Sequence, residues 1–331
     1  MLLLFQKAVF AIIYLTTSAM ITICWLKWTR HYANVLTILA LAGCQPNLSG
    51  INDTTACQLV VFTNGKLALP ATSIAFRKAI LTMPPDLPYY LRPAYWTNDT
   101  LDTANVVASI APRFDFEPLW LTHNRHQIGY VGVDYRRLRL RLDFALRDCN
   151  DSTKYWVRAH CMVDSQETNL QGYFQLTHAR QRKYNQPNKL ICSDQLFVSQ
   201  GLVLGEYYLT QYPTDTVPLV LRGVFLTNWL TDEHGRLRYN KLGWDCDNDF
   251  FNNNSFVGTW NKGKVSQPCH WGDLRVYDEA HNLDIGAGFF SPNVDDYPNR
   301  GWESLSNTVV PPMMDGETRE YIEALWEESD W

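Results

Sequence analysis

With 331 residues, of which 46% are hydrophobic and 19% charged, the chain carries enough apolar material for one large domain or two smaller ones and is not a disordered polymer. The formal net charge is −5. Residues 1–43 hold Lys7, Lys27 and Arg30 and no carboxylate, so the remainder carries 26 Lys and Arg against 34 Asp and Glu, a net of −8. A body this acidic counts against nucleic acid as a partner, because phosphate binding needs clustered cations.

The first element in chain order is apolar. Ala8–Leu26 has no charge and only Thr16, Thr17, Ser18 and Thr22 as polar interruptions, a length that spans a bilayer as a helix. Lys27, Trp28, Arg30 and His31 follow, then a second apolar run, Val35–Ala42, too short to span and sized like the core of a signal peptide.

That run ends Leu41-Ala42-Gly43-Cys44, and here the chain resembles a bacterial lipoprotein signal over Lys27–Cys44. The resemblance implies diacylglycerol on the Cys44 thiol, cleavage before it, and acyl chains (palmitate among them) that supply the membrane affinity. Gln45 stands where an Asp would favour the inner membrane, so the resemblance points to the outer membrane, facing the periplasm or the surface. The basic stretch begins late for such a signal, and translation from Met20 rather than Met1 restores ordinary proportions. A competing reading keeps Ala8–Leu26 as a single-pass anchor and Cys44 as an ordinary thiol. The chain is thus expected to divide into a signal or anchor (1–43), a tether (44–56), an irregular lobe or first strands (57–126), a β-rich domain (127–316) and a helical tail (317–331).

Eight cysteines are present. With Cys24 in the apolar segment and Cys44 assigned to lipid, Cys57, Cys149, Cys161, Cys192, Cys246 and Cys269 remain, an even number for an oxidising compartment. Cys149 and Cys161 flank the turn-like Asn150–Thr153 and are expected to bridge a hairpin; Cys246 with Cys269 is a second candidate pair.

The body reads as mainly β. Arg137–Phe144 alternates strictly and places Leu138, Leu140, Leu142 and Phe144 on one face. Further strands are expected at Tyr155–Val163, Leu170–His178, Leu202–Leu209, Val217–Trp229, Leu237–Leu242, Phe256–Trp260, Leu274–Val276 and Leu283–Phe290, with Asp232-Glu233-His234-Gly235 as a hairpin turn. Helical spacing after residue 50 is expected only at Glu317–Trp331. Gly172, Gly205, Gly223 and Gly258 each stand near an aromatic residue, which suits strands that bend or pass under a ring. The expected fold is an antiparallel meander forming a curved barrel, lipocalin-like in style, or a β-sandwich.

The densest polar cluster is His270 and Asp273, with Asp284 further on beside Gly286 and Gly288. These three could form an acid–base or metal constellation, or a polar network that closes the end of a barrel. Asp245, Asp247 and Asp249 alternate as in a calcium loop, but Phe250 and Phe256 stand where an EF-hand needs Gly and Glu. His123 and His126 sit in a turn-like context, and His160 and His178 in strands. Asn52, Asn98 and Asn150 open glycosylation sequons, which matter only on a luminal face. No HExxH, GxSxG or P-loop pattern occurs, and no cofactor is implied. The reading that fits best is a membrane-anchored envelope lipoprotein whose β domain binds a small ligand, a glycan or a protein. A secreted hydrolase or lyase using His270, Asp273 and Asp284 is the catalytic alternative.

Overall fold

The computed structural model describes residues 68–82, 102–121, 126–181, 197–213, 215–240, 253–273, 276, 282–285 and 290–303, all in the second of the chain's two units, Gly65–Trp331. Ala8–Leu26, Cys44, Cys57, Cys192, Cys246 and Glu317–Trp331 lie outside the described residues. No helix among the described residues is long and apolar enough to cross a membrane.

Among the described residues, nine strands carry the fold: β1 (His126–Val131), β2 (Arg136–Arg147), β3 (Lys154–Val163), β4 (Gln166–Gln181), β5 (Ser199–Gln211), β6 (Leu219–Thr231), β7 (Leu237–Tyr239), β8 (Asn253–Lys262) and β9 (Val265–Asp273). Every pairing is antiparallel. Strands β1 to β6 follow one another around the wall, β5 pairs with β6, β6 with β8, β8 with β9, and β9 returns to β1. This is a closed eight-stranded barrel, and the sandwich alternative does not apply. The ninth strand, β7, folds back on β6 through the predicted turn. There Gly235 takes φ +73° and the Asp232 carboxylate accepts from the amides of His234 and Arg236.

Alternation sets inside from outside. Along β3, Tyr155, Val157, Ala159, Cys161 and Val163 are buried in the barrel, and the residues between them are half-exposed on its outer wall. On β2, Leu138, Leu140 and Leu142 point inward as the sequence pattern predicts. Phe144 does not. A bulge between Leu142 and Phe144 shifts the register by one, so Ala145 takes the inner position and Phe144 lies outside, with the Arg158 guanidinium 5.7 Å from its ring centroid.

Glycine lets aromatic rings lie flat against the inner wall. In the β5–β6 ladder Gly201 faces Trp229, Gly205 faces Phe225 and Gly223 faces Tyr207. A Cβ on Gly205 would run into the Phe225 ring and the Gln175 carbonyl. The aromatic–glycine pattern of the sequence is therefore a packing device.

Helices appear where none was expected. Helix α1 (Ala71–Thr82) lays Phe76 and Ile80 on Leu202, Leu204, Val224, Leu226 and Val257 of the outer wall. Its Ser73 hydroxyl donates to Val257 O at 2.7 Å. The short helices α2 (Val107–Ile110) and α3 (Glu117–Leu121) enter one mouth of the barrel, so this part of the predicted irregular lobe belongs to the barrel core. The predicted strand at Leu274–Val276 is absent at Val276, the one described residue of the three, and from Leu283–Phe290 the described residues retain a single bridge, Asp284 to Pro292. The described residues 282–285 and 290–303 instead form a strap whose Leu283 and Trp302 cover Ile128, Tyr130 and Tyr135 on the outside of the barrel.

The two predicted disulfides, Cys149–Cys161 and Cys246–Cys269, do not form, because Cys161 and Cys269 are free thiols buried in the barrel. The register explains the first. Arg147 pairs with Tyr155 at the turn, whereas Cys161 pairs with Leu140, about 20 Å further along the strand.

Candidate functional site

Strand β9 separates the residues that the sequence placed together. Cys269, Trp271 and Asp273 alternate inward, and His270 lies outside under the strap, its Nδ1 2.8 Å from the Tyr130 hydroxyl. Asp284 is in the strap, where Oδ1 accepts the Ser291 amide at 3.0 Å. His270 and Asp273 thus face opposite sides of the wall. No group of three potential metal ligands occurs among the described residues. Asp245, Asp247, Asp249 and His123 lie outside them, and His126 opens β1. His160 and His178 are half-buried on the outer wall; His160 Nδ1 lies 2.6 Å from Asp143 Oδ2.

Asp273 belongs to a polar network that ties the plug into the mouth of the barrel. The Tyr239 hydroxyl donates to Asp273 Oδ2 at 2.9 Å. Trp120 Nε1 donates to the Thr227 hydroxyl, which donates to Asn254 Oδ1 at 2.7 Å, and Asn254 Nδ2 reaches Leu119 O at 2.9 Å. Asn253 Oδ1 accepts the amides of Asn228 and Asn254. A bulge between Asn253 and Phe256, with Asn254 at φ +49°, aims these amides. Burial raises the Asp273 carboxyl well above its ordinary value, against the lowering pull of Tyr239 and Asn254. A carboxyl that burial drives toward its neutral form, bonded to a phenol, suits closure of the mouth.

Below that network the interior is filled with rings. Trp120 meets Tyr155, Phe174 and Phe225 edge-on at 5.0, 5.2 and 5.8 Å between centroids. Phe256 touches Phe174, Phe225 and Tyr207, and stacks on Trp271 at 3.5 Å. The axis where a ligand-carrying barrel keeps its cavity is here occupied by side chains. Cys161 and Cys269 lie in the same interior, where burial pushes the Cys161 thiol up to about 12; such thiols are poor nucleophiles.

The outer wall carries the arrangement best suited to a partner. Register places Trp156 of β3, Tyr173 of β4, Tyr208 of β5 and Arg222 of β6 in one cross-strand row. All four are half-exposed. Tyr173 and Tyr208 stack at 5.9 Å and 21°, and Trp156 meets Tyr173 edge-on at 6.4 Å. Lys154 Nζ lies 4.1 Å from the Trp156 centroid and 4.9 Å from that of Tyr173. Next to the row, Arg158 lies over the rings of Phe144 and Tyr212.

The nearby carboxylates are engaged. Glu206 pairs with Arg77 at 2.7 Å, Asp148 accepts the Trp156 indole N–H at 2.8 Å, and Asp151 is bonded to Thr153 and Gln175. By contrast, Arg158 Nε and Arg222 Nη1 are buried atoms without a hydrogen-bond partner. Sequence reasoning found the strands that hold this row but not the row, since its members share a level only through register. No family model matches the chain, and neither the curated proteins nor the solved structures searched contain a match.

Proposed function

We propose that this protein is an envelope lipoprotein, held to a membrane by lipid on Cys44, whose extracytoplasmic barrel binds its partner on the outer wall and does not catalyse a reaction. The observation that carries the binding part is the contrast between a barrel axis filled by Trp120, Phe174, Phe225 and Phe256 and a half-exposed aromatic row on the wall. A filled axis favours surface recognition over carriage of a small apolar ligand, and rings of this kind dominate the energy of most interfaces. The non-catalytic part is supported by His270 and Asp273 facing opposite sides of β9. The anchor is supported by Leu41-Ala42-Gly43-Cys44 after its basic and apolar segments, and export by Cys149, which is disulfide-bonded.

Intact-mass and N-terminal peptide analysis of the membrane-fraction protein, beside Cys44→Ala, tests the anchor. The expected mature chain begins at an acylated Cys44, and the variant loses both cleavage and acylation. A chain that retains residues 1–43 overturns the lipoprotein reading and makes Ala8–Leu26 the anchor.

A further inference from the structure

We infer that Asn150 is an N-glycosylation site, its side-chain amide accepting an oligosaccharide from a lipid diphosphate donor on the extracytoplasmic side of the membrane. The inference rests on the export part of the proposal above, which the disulfide at Cys149 supports, and it holds under either anchor. A carboxamide nitrogen is a poor nucleophile because its lone pair is delocalised into the carbonyl. Transfer to it therefore needs a recognised acceptor, Asn-x-Ser or Asn-x-Thr with x other than Pro. Such acceptors stand at Asn47, Asn52, Asn98, Asn150 and Asn253. Among them only Asn150 has an acidic residue two positions before it, Asp148, where the others have Gln45, Gly50, Trp96 and Phe251. Asp148-Cys149-Asn150-Asp151-Ser152 thus also meets the longer, acid-led acceptor form of exported bacterial proteins.

The fold separates Asn150 from Asn253, the two of these sites among the described residues. Both belong to the plugged mouth of the barrel. Asn253 is fully buried; its Oδ1 accepts the amides of Asn228 and Asn254, and its Nδ2 donates to Asn228 O at 3.2 Å. A sugar there would have to displace the packed network. Asn150 is exposed at the apex of the β2–β3 hairpin, beyond Arg147, whose Nη1 donates to Phe114 O between α2 and α3. Neighbouring side chains close this turn. Asp148 Oδ1 accepts the amides of Asn150 and Asp151 at 2.8 and 3.2 Å, its Oδ2 accepts the Trp156 indole N–H, and Asp151 Oδ1 accepts the Thr153 amide at 2.9 Å. The side chains of Asn150 and Ser152 make no hydrogen bond among the described residues. The fold therefore accommodates a bulky, hydrated substituent on Asn150 Nδ2 without loss of packing.

In the transfer, Asn150 Nδ2 attacks the anomeric carbon of the first sugar. A C–N bond forms and the C–O bond to the diphosphate breaks. The lipid diphosphate leaves with the electron pair, one Nδ2 proton passes to a base of the transferase, and nothing is oxidised or reduced. Asp148 and Ser152 are open to the transferase during export, before the hairpin closes around them. In the finished barrel the glycan stands off the apex of a surface turn, the kind of place that tolerates added mass.

The test uses the whole protein purified from the membranes of the cells that naturally make it. Arg147 and Lys154 let trypsin release the peptide Asp148–Lys154, which is read by tandem mass spectrometry after reduction and alkylation. A form of this peptide with an oligosaccharide on Asn150 is expected. Asn150→Gln and Ser152→Ala are each expected to lose the added mass, and Ser152→Thr to keep it, all three with the parent's thermal melt because neither side chain is bonded in the fold. The peptide that carries Asn253 is expected bare in the same digest. A sugar that survives Asn150→Gln sits on Ser152 or Thr153 and overturns the assignment, and a sugar that survives Ser152→Ala overturns the acceptor motif. A bare Asp148–Lys154 peptide as the sole form overturns the inference. In that case the unreduced digest shows which premise failed: a disulfide at Cys149 leaves export standing, and a free thiol removes export as well.

Discussion

Tyr239 donates its phenolic hydrogen to Asp273 Oδ2 at 2.9 Å, and the carboxyl that receives it is sealed from water inside the mouth of the barrel. Tyr239 lies on the short strand β7 and Asp273 ends β9, so one hydrogen bond joins the appended hairpin to the closing strand. Burial, and not a neighbouring charge, is the main reason this carboxyl is driven toward its protonated form.

A stability consequence follows with a definite sign. In the unfolded chain Asp273 ionises near the ordinary carboxylate value, about 4. In the fold its pKa lies well above that. Between the two, the native state holds a proton that the unfolded state has released, so stability falls as pH rises through the interval. Asp273→Asn removes the titration and keeps an acceptor for Tyr239. The variant is expected to gain on the parent as pH is raised from 4 to 8, with a flatter pH dependence in urea unfolding. An unchanged slope would show that the carboxyl is already ionised in the fold. Tyr239→Phe is expected to lose about 1–3 kcal/mol, since it leaves a buried acceptor without its donor.

How far the sequence reveals this molecule depends on whether a feature is local. Leu138, Leu140 and Leu142 declare an inward face because strand periodicity is local, and Asp232–Gly235 declares a turn for the same reason. Phe144 escapes the pattern because a bulge leaves no mark in the alternation. Strand β9 is obscured by Pro268, Gly272 and the buried polar pair His270 and Asp273, none of which favours a strand reading. Helix α1 has Phe76 and Ile80 four residues apart after Pro70, but its packed face is narrow and the helix is short. The candidate site is the least legible part. Trp156, Tyr173 and Tyr208 are neighbours only once three strands are in register, and Trp120 enters the core from a segment that looks like connection.

Gly205 gives a direct test of the ring packing. A Cβ at this position would meet the Phe225 ring and also the backbone oxygen of Gln175 on β4. The ring can shift, but the carbonyl belongs to a paired strand and moves only with the sheet. Gly205→Ala is expected to cost about 1–3 kcal/mol, as overpacking does in a well-filled core. Combining it with Phe225→Leu relieves the ring contact alone, so relative to Phe225→Leu the alanine should still cost stability. Urea denaturation of the four chains closes this cycle. Loss of the whole alanine penalty in the Phe225→Leu background would show that the ring, and not the backbone, sets the limit.

The C-terminal strap makes a different prediction, about local and not global stability. Trp302 is fully buried, its indole N–H donates to Tyr135 O at 2.6 Å, and the Arg137 guanidinium lies 5.6 Å from its ring centroid. Arg137 also donates from Nη1 to Gly301 O and from its amide to Arg300 O at 2.8 Å. The Arg137 amide therefore pairs with the strap and reports on its attachment. Apart from the Asp284–Pro292 bridge, the described part of the strap is irregular backbone, held to the wall by one apolar cluster in which Trp302 is the largest member. Trp302→Ala deletes that anchor, a change worth about 3–5 kcal/mol where the element stays in place. A strap can instead detach, because regions with few buried apolar contacts open at low free energy. Native-state hydrogen exchange on the variant should show the amides of Arg137, Asn293 and Tyr297 losing protection, while those of Leu140 and Leu142, within the β2 ladders, keep theirs. If all of these amides lose protection together, the strap is part of the barrel's single cooperative unit, and Trp302 belongs to the global core and not to a local clasp.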